Sequence, residues 1–395
     1  MGLSQGFANE RVMRSAESYL VAARFLFNKT FCRLSFRLYS RSFDTMRLAM
    51  HIVLGKFLVT LLLAGITVAA QANPEQITQP TARQFTFEYK TVVESPEAGM
   101  GPVQLFIPLA VVSEQQQLVA EKIVASIDGT IETEDKYGNR YWHGTLERSK
   151  GEPIVVTITS TVKRYASVVA SPDVSGRITE QEKITMAKYL GANAKVVVDH
   201  PVLEPILAEI RQHAASDDPA VVARAIYDWV VNNLEYKKVG TGWGNGDTFW
   251  ACSERYGNCT DFHALFISLA RSNNIPARFE IGFPVPNDRD SGKIGGYHCW
   301  VEFYLPTIGW FPIDASEAFK HPEKKEYYYG THPEDRIHFS TGRDLKLGNS
   351  HKDQPLNYFV YPYIEVNGKK YEGKVSNAFS YKNDTHVSSP ARSLD

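Results

Sequence analysis

The chain has 395 residues, with 43 Lys+Arg against 44 Asp+Glu, 4 Cys and 43% hydrophobic residues. That length predicts two or three folded units, and the composition is that of a folded chain rather than a disordered one. A net charge of −1 offers no basic footprint for nucleic acid. Four cysteines with no CxxC or paired Cys/His spacing exclude a disulfide-built scaffold and offer no zinc site.

The neutral total hides an asymmetry. Residues 1–72 hold nine Lys/Arg and three Asp/Glu, a net of +6, and the remainder is net −7. Met46-Arg47, the apolar run Phe57 to Ala70, and Ala70-Gln71-Ala72 ahead of Asn73-Pro74 supply the three parts of a secretory signal peptide. Crossing a bilayer takes about 20 apolar residues. A cleaved signal over 46–72 is therefore expected, with an N-terminal membrane anchor from Ile52 to Ala70 as the lesser reading. Residues 1–45, rich in Arg and Ser, are read as lying upstream of a start at Met46 or as a longer leader, and 1–72 as a whole is set apart from the fold. The protein is expected in the periplasm or secreted, where conditions are oxidising.

Residues 73–175 alternate apolar and polar. Phe85 to Val93 and Ile154 to Val162 have period 2, and Val103 to Leu109, Ile123 to Ile127 and Tyr141 to Leu146 lie between them, separated by Gly/Asn/Asp turn signals. This pattern predicts an antiparallel β-sandwich with no chemical cluster of its own. Residues 176–318 change to helix and then sheet. Ser216-Asp217-Asp218-Pro219 starts a helix, and Val222, Ile226, Trp229 and Val230 line one face of it. After the Gly/Trp-rich stretch 240–246, a second helix begins near Cys259 with Phe262, Leu265, Phe266 and Leu269 as its stripe, ending before Ile275-Pro276. Strands follow at 279–283, 297–304 and 310–314. Residues 319–395 form a C-terminal extension with a strand pair, Tyr358 to Val366 and Lys370 to Val375, joined by the hairpin signal Asn367-Gly368, and then a polar tail from Lys382.

The chemistry gathers in the middle zone. Asn258 is a good N-cap, which places Cys259 in the first turn of its helix, where the dipole and the free N–H groups favour a thiolate. A nucleophile needs a base and a group that orients the base. His298 lies on a strand, and the turn at Pro306 to Gly309 folds the chain back so that Asp314 comes within a residue or two of it. A carboxylate beside an imidazole fixes its tautomer and supports its charge.

The blocks Tyr256-Gly257-Asn258-Cys259-Thr260-Asp261-Phe262, Ile275-Pro276-Ala277-Arg278, His298-Cys299-Trp300-Val301-Glu302 and Trp310 to Asp314 together resemble the core motifs of the transglutaminase-like superfamily. The resemblance covers about residues 200–318. It implies a papain-like core with Cys259 as nucleophile, His298 as general base and acid, and Asp314 as orienter. The flanks are more weakly similar to those of bacterial secreted or periplasmic members of the cysteine-peptidase type. Animal transglutaminases add calcium sites and large β domains after the core, and the absence of an EF-hand-like loop here means that calcium dependence is not carried over.

Support for the site is expected from three residues. Trp243 and Trp250 are candidates for an indole N–H aimed at the oxyanion, with loop anchoring as the equal alternative. His263, one turn after Cys259, is a rival base or a packing residue beneath the site. Cys252 and Cys299 are candidates for a disulfide between the loop before the nucleophile and the His298 strand. No metal and no cofactor is called for. The reading is an α+β protein: a papain-like transglutaminase core flanked by an N-terminal β-sandwich and a small C-terminal β segment. Its expected activity is thiol-dependent acyl transfer on peptide or side-chain amides, with hydrolysis (protease or amidase) favoured over transamidation. The alternative is a catalytically idle protein that binds peptide or cell-wall material through the same groove. Expected partners are a peptide or protein substrate, no nucleic acid, and a protein or cell-wall partner through the N-terminal β domain.

Overall fold

Period-2 alternation becomes burial in the first strand, β1 (Ala82–Val93), where Phe85, Phe87, Tyr89, Thr91 and Val93 point inward. The computed structural model describes residues 81–384. The expected leader, signal peptide and last part of the tail lie outside the described residues. After β1 come β2 (Val103–Pro108), β3 (Gln116–Ala125), β4 (Gly129–Thr133), β5 (Arg140–Leu146) and β6 (Ile154–Tyr165). Like β1, β6 buries every second residue.

The middle of the chain is helical: α1 (Glu180–Thr185), α2 (Ala187–Leu190), α3 (Glu204–His213), α4 (Pro219–Asn233), α5 (Thr248–Glu254) and α6 (Cys259–Arg271). As the sequence suggests, Asp218 caps α4 by accepting from the N–H of Ala220, and Pro219 occupies the first position. Sheet returns in β7 (Ala277–Pro284), β8 (Ser291–Ile294), β9 (His298–Leu305) and β10 (Gly309–Ile313). The short α7 (Ala315–Lys320), then β11 (Arg336–Thr341), β12 (Tyr363–Val366), β13 (Lys369–Lys370) and β14 (Val375–Asn383) complete the chain. No helix among the described residues is long and apolar enough to cross a membrane.

Three antiparallel sheets result, with orders β8-β14-β1-β6-β3, β13-β12-β2-β5-β4 and β10-β9-β7-β11. The fold is α+β, and the described residues, 81–384, fall within one unit. The strands of the C-terminal extension do not stand apart. β14 pairs along β1 from Phe85↔Asn383 to Val93↔Val375, and β12 pairs with β2, so both ends of the described chain build the two five-stranded sheets. Phe87 of β1, Phe283 of β7, Phe339 of β11 and Phe379 of β14 meet in one aromatic cluster with centroids 4.4–6.4 Å apart, tying the sandwich to the third sheet.

The hairpin at Asn367-Gly368 forms with both residues at positive φ, 55° and 71°. Its second strand is only Lys369–Lys370. The next strand runs from Val375 to Asn383 rather than ending at Val375, because β1 offers a free edge along its length. Helix α6 is buried on every side, not only along the expected stripe. Its polar residues are accordingly partnered: the Oγ atoms of Ser268 and Thr248 lie 2.6 Å apart, and Arg271 donates to the carbonyls of Ala277 and Gly191.

Candidate active site

Asn258 begins the site. Its side chain accepts from the N–H of Thr260, while the Asp261 carboxylate accepts from the N–H of Asn258, a reciprocal cap that fixes the first turn of α6. Asp261 also accepts from the N–H groups of Gly244 and Gly246 at 2.7 and 3.0 Å, so the glycine-rich loop is moored to the same turn. Gly246 has φ 56°, and a Cβ there would sit 2.0 Å from Nη2 of Arg343. Only glycine meets both demands. Cys259 is thus the first helical residue, with a backbone N–H that has no intrahelical acceptor.

Strand β9 begins with His298, and Asp314 follows β10 as the cap of α7, accepting from the N–H of Glu317 at 3.0 Å. The register Val301↔Ile313 brings the two together. Nε2 of His298 lies 2.7 Å from Oδ2 of Asp314. The same oxygen accepts from Nη1 of Arg336 at 3.2 Å, and the other oxygen accepts from the Ser316 hydroxyl at 3.0 Å. His298 also interacts with the Cys259 thiol, which raises its pKa. Cys259, His298 and Asp314 are all buried, with relative exposures of 2%, 6% and 0%.

Burial opposes charge on each of these groups, and their mutual contacts override it. The thiol of Cys259 is held well below its ordinary value by bonds from Cys299 and His298 and by the His298 charge. Burial pulls His298 down, but the Asp314 charge and hydrogen bond, with Cys259, raise it to about 10. Asp314 is likewise held well below the carboxylate range, by His298, His263 and Arg336. These directions favour a thiolate–imidazolium pair beside an ionised carboxylate. A carboxylate has no proton to give, so Nε2 of His298 carries the hydrogen toward Asp314.

The supporting residues differ from expectation in two ways. Neither indole N–H is free for an oxyanion: Trp243 donates to the carbonyl of Gly240 at 3.1 Å, and Trp250 to that of Tyr256 at 2.9 Å. Both anchor the loop. The pairing of Cys252 with Cys299 is not made either, and all three described cysteines are free thiols. Cys299 turns toward α6, with Sγ 3.4 Å from Nδ1 of His263, while Cys252 is half-buried on α5. His263 is fully buried beneath the site, its Nε2 3.5 Å from Oδ1 of Asp314.

Two contributors carried no readable sequence signal. Arg336 comes from β11, with no spacing motif linking it to Asp314. The Tyr297 hydroxyl accepts from Nδ2 of Asn258 at 2.9 Å and also meets the Tyr358 hydroxyl, so it sits between the neighbours of Cys259 and His298. Adjacency to His298 was the available hint. Among the described residues, two clusters bring His/Asp/Glu ligand atoms within 4.8 Å: His298, Asp314 and Glu317, which is the site itself, and Glu280, Glu302 and His332. In the second, Arg278 already pairs with both glutamates and Trp300 donates to Glu280 at 2.7 Å, so both carboxylates have partners within the protein. A groove of about 870 Å³ between α3 and α4, lined by Glu209, Arg224 and Trp229 among others, shares no residue with the Cys259 cluster.

Residues 207–315 match the family model described as the transglutaminase-like superfamily. An uncharacterized protein of Haemophilus influenzae is 27% identical over 361 residues, covering 79% of this chain and 94% of that one. Among solved structures, a candidate cysteine protease from Cytophaga hutchinsonii has a TM-score of 0.48 at 17% identity, covering 77% of this chain and 100% of that one. The periplasmic domain of TgpA from Pseudomonas aeruginosa has a TM-score of 0.30 at 15% identity, covering 63% and 96%.

Proposed function

We propose, from the match of residues 207–315 to the transglutaminase-like superfamily model and from the site's geometry, that this chain is a thiol-dependent hydrolase of peptide or side-chain amides, with Cys259, His298 and Asp314 as its catalytic triad. The observation that carries the reading is the Asp314–His298 bond at 2.7 Å on the far side of an imidazole that faces a buried, acidified thiol. The Cys259 thiolate attacks the amide carbonyl, and the negative charge moves to oxygen. Donors for that oxyanion are the backbone N–H of Cys259 and the Tyr297 hydroxyl, which would turn from Tyr358 to the oxygen as charge develops. His298 gives its Nδ1 proton to the departing amine, and the C–N bond breaks to leave a thioester. A water then gives a proton to His298 and adds to the thioester, releasing a carboxylic acid and the thiolate, while the imidazole is again protonated.

Water is the favoured acceptor because it is the default wherever the thioester is within reach of solvent. The positive start and apolar run at 46–72 support an exported protein, with peptide or protein as substrate and the β-sandwich as the face for a protein or cell-wall partner. The test is incubation of the chain and its Cys259→Ala variant with periplasmic extract, with and without a labelled primary amine. New peptide termini formed only by the native chain are expected. Label incorporation would replace hydrolysis by transamidation, and no difference between the two chains would reject the enzyme reading.

A further inference from the structure

Asp314 has no hydrogen-bonding capacity to spare. Its Oδ2 accepts from His298 and Arg336, and its Oδ1 accepts from the Ser316 hydroxyl and the N–H of Glu317. One charge is thus shared among four donors, while the ring that it must hold is buried. A second carboxylate faces the same ring nitrogen: Oε1 of Glu317 lies 3.6 Å from Nε2 of His298. Glu317 is the third residue of α7, a position from which a glutamate commonly reaches back to the N–H of the cap. Here that N–H, on Asp314, donates to the carbonyl of Tyr328 at 3.0 Å, and the Glu317 side chain is released to turn toward His298. Its side chain is 16% exposed, against 67% for Glu323 a few residues on. Its other neighbours are basic. The Lys320 ammonium pairs with the same Oε1, and Nε2 of His321 stands 3.7 Å from Oε2.

Resting on the reading of His298 as the base of the triad, we propose that Glu317 is a second carboxylate for the His298 imidazolium, and that Lys320 sets how much of its charge the ring feels. Both are positioning residues. Nε2 has one hydrogen, which Asp314 accepts at 2.7 Å, so Glu317 acts through charge rather than through a bond. At 3.6 Å that attraction is felt strongly, because the ring is buried and poorly screened by water. Its use comes with the thioester. Once Cys259 is acylated the ring loses its thiolate neighbour, yet it must still draw a proton from water. Two carboxylates then remain to stabilise the imidazolium that forms. Lys320 is placed to moderate the second of them. Its side chain is 33% exposed, and its ammonium lies 4.8 Å from the centroid of the Tyr236 ring. Tyr236 pairs in register with Gly257, two residues before the nucleophile. The restraint on Glu317 therefore sits at the rim of the site, within reach of solvent.

The other titratable and charged groups around the ring and Glu317 are few. Helix α6 contributes Cys259 and His263, whose Nε2 is 3.5 Å from Oδ1 of Asp314. Strand β11 and the residue before it contribute Arg336 and Asp335, which pair at 3.8 Å. The phenols of Tyr236 and Tyr328 lie on the Glu317 side, and burial raises both, so neither ionises where His298 titrates.

The test is the ionisation of His298 itself, followed by NMR on the full chain carrying isotope-labelled histidine, with its ring resonance assigned as the one missing from His298→Gln. The Glu317 and Lys320 variants are made in a Cys259→Ala background, so that no thiolate adds to the charge. There, Glu317→Gln should lower the His298 midpoint by about 0.5–1 pH unit, part of the shift that an opposite charge at this distance gives when a lysine shares it. Lys320→Met should raise the midpoint by a similar amount, and the double variant should fall between the two. A purely structural role would move neither midpoint, or both in one direction. A midpoint unmoved in Glu317→Gln overturns the second carboxylate, and one that fails to rise in Lys320→Met overturns the restraint. The triad reading is judged separately, by the native chain against Cys259→Ala alone. A midpoint that does not fall on losing the thiol would refute the thiolate–imidazolium pair and leave the Glu317 comparison intact.

Discussion

Replacing Asp314 by Asn keeps the shape of the side chain and removes the charge that holds the His298 imidazolium. In the native chain that ring titrates at about 10 against an ordinary 6.5, although burial alone would pull it down. The difference corresponds to about 5 kcal/mol. Asp314 supplies the larger part of that margin and Cys259 adds to it; burial persists in the variant, so the ring is expected to turn neutral. Without an imidazolium beside it, Cys259 keeps its proton. Alkylation of Cys259 at pH 6 is expected to slow about 300-fold, with its midpoint moving toward about 8.5. The same carboxylate accepts from Arg336 at 3.2 Å, and an amide leaves that buried guanidinium uncompensated. Asp314→Asn should therefore also lose about 3–5 kcal/mol of unfolding free energy. The assay is run well below the melting temperature, with circular dichroism to verify the fold. A folded Asp314→Asn chain that alkylates at pH 6 as fast as native protein would refute the ion pair and the role assigned to Asp314.

Three further outcomes are expected. Tyr297→Phe removes a hydroxyl proton from the proposed oxyanion site, so kcat for amide cleavage should fall about 10–100-fold with KM nearly unchanged; an unaltered kcat would remove Tyr297 from the mechanism. Gly246→Ala places a methyl against Arg343 at φ 56°, and thermal melts should report a loss of about 2–4 kcal/mol, whereas an unchanged melting temperature would mean that the loop yields freely. His338 is buried and held neutral, with burial and then the Arg164 charge lowering it from 6.5 to about 3, against the opposing Glu302 carboxylate. The unfolded chain binds that proton below about pH 6.5 and the native chain does not. Its contribution is thus fully present above that value and is lost as pH falls toward 3, by about 1.4 kcal/mol per unit. His338→Gln should flatten the acid limb of a urea-denaturation series, and an identical limb in both chains would argue that His338 titrates normally.

The parts of the site legible in the linear chain are those specified over short distances. Asn258 caps a helix three residues from Asp261, and this local bond sets the position of Cys259. His298 and Asp314 are separated by one tight turn, so counting along a hairpin nearly suffices to pair them. Alternation in β1 and β6 writes burial directly into residue type. Period and capping are backbone geometry, and each residue carries them independently of distant partners.

Contacts across large separations are of another kind. Nothing in Val375 to Asn383 names β1 as its partner, because β-pairing uses backbone groups that every residue shares. Arg336 reaches Asp314 only after β11 has joined β7, and no spacing rule connects them. The cysteines make the distinction sharpest. Pairing Cys252 with Cys299 is reasonable for an exported chain, yet Sγ–Sγ geometry depends on the direction in which each Cβ points after packing. Strand β9 turns Cys299 onto the buried face of α6, beside His263 and Cys259, and α5 leaves Cys252 elsewhere. Residue types, local spacing and the family resemblance point to Cys259, His298 and Asp314 as the candidates for nucleophile, base and orienter. Which side chains surround and tune them followed from how helix and sheet close on each other, since burial and direction are properties of the packed whole.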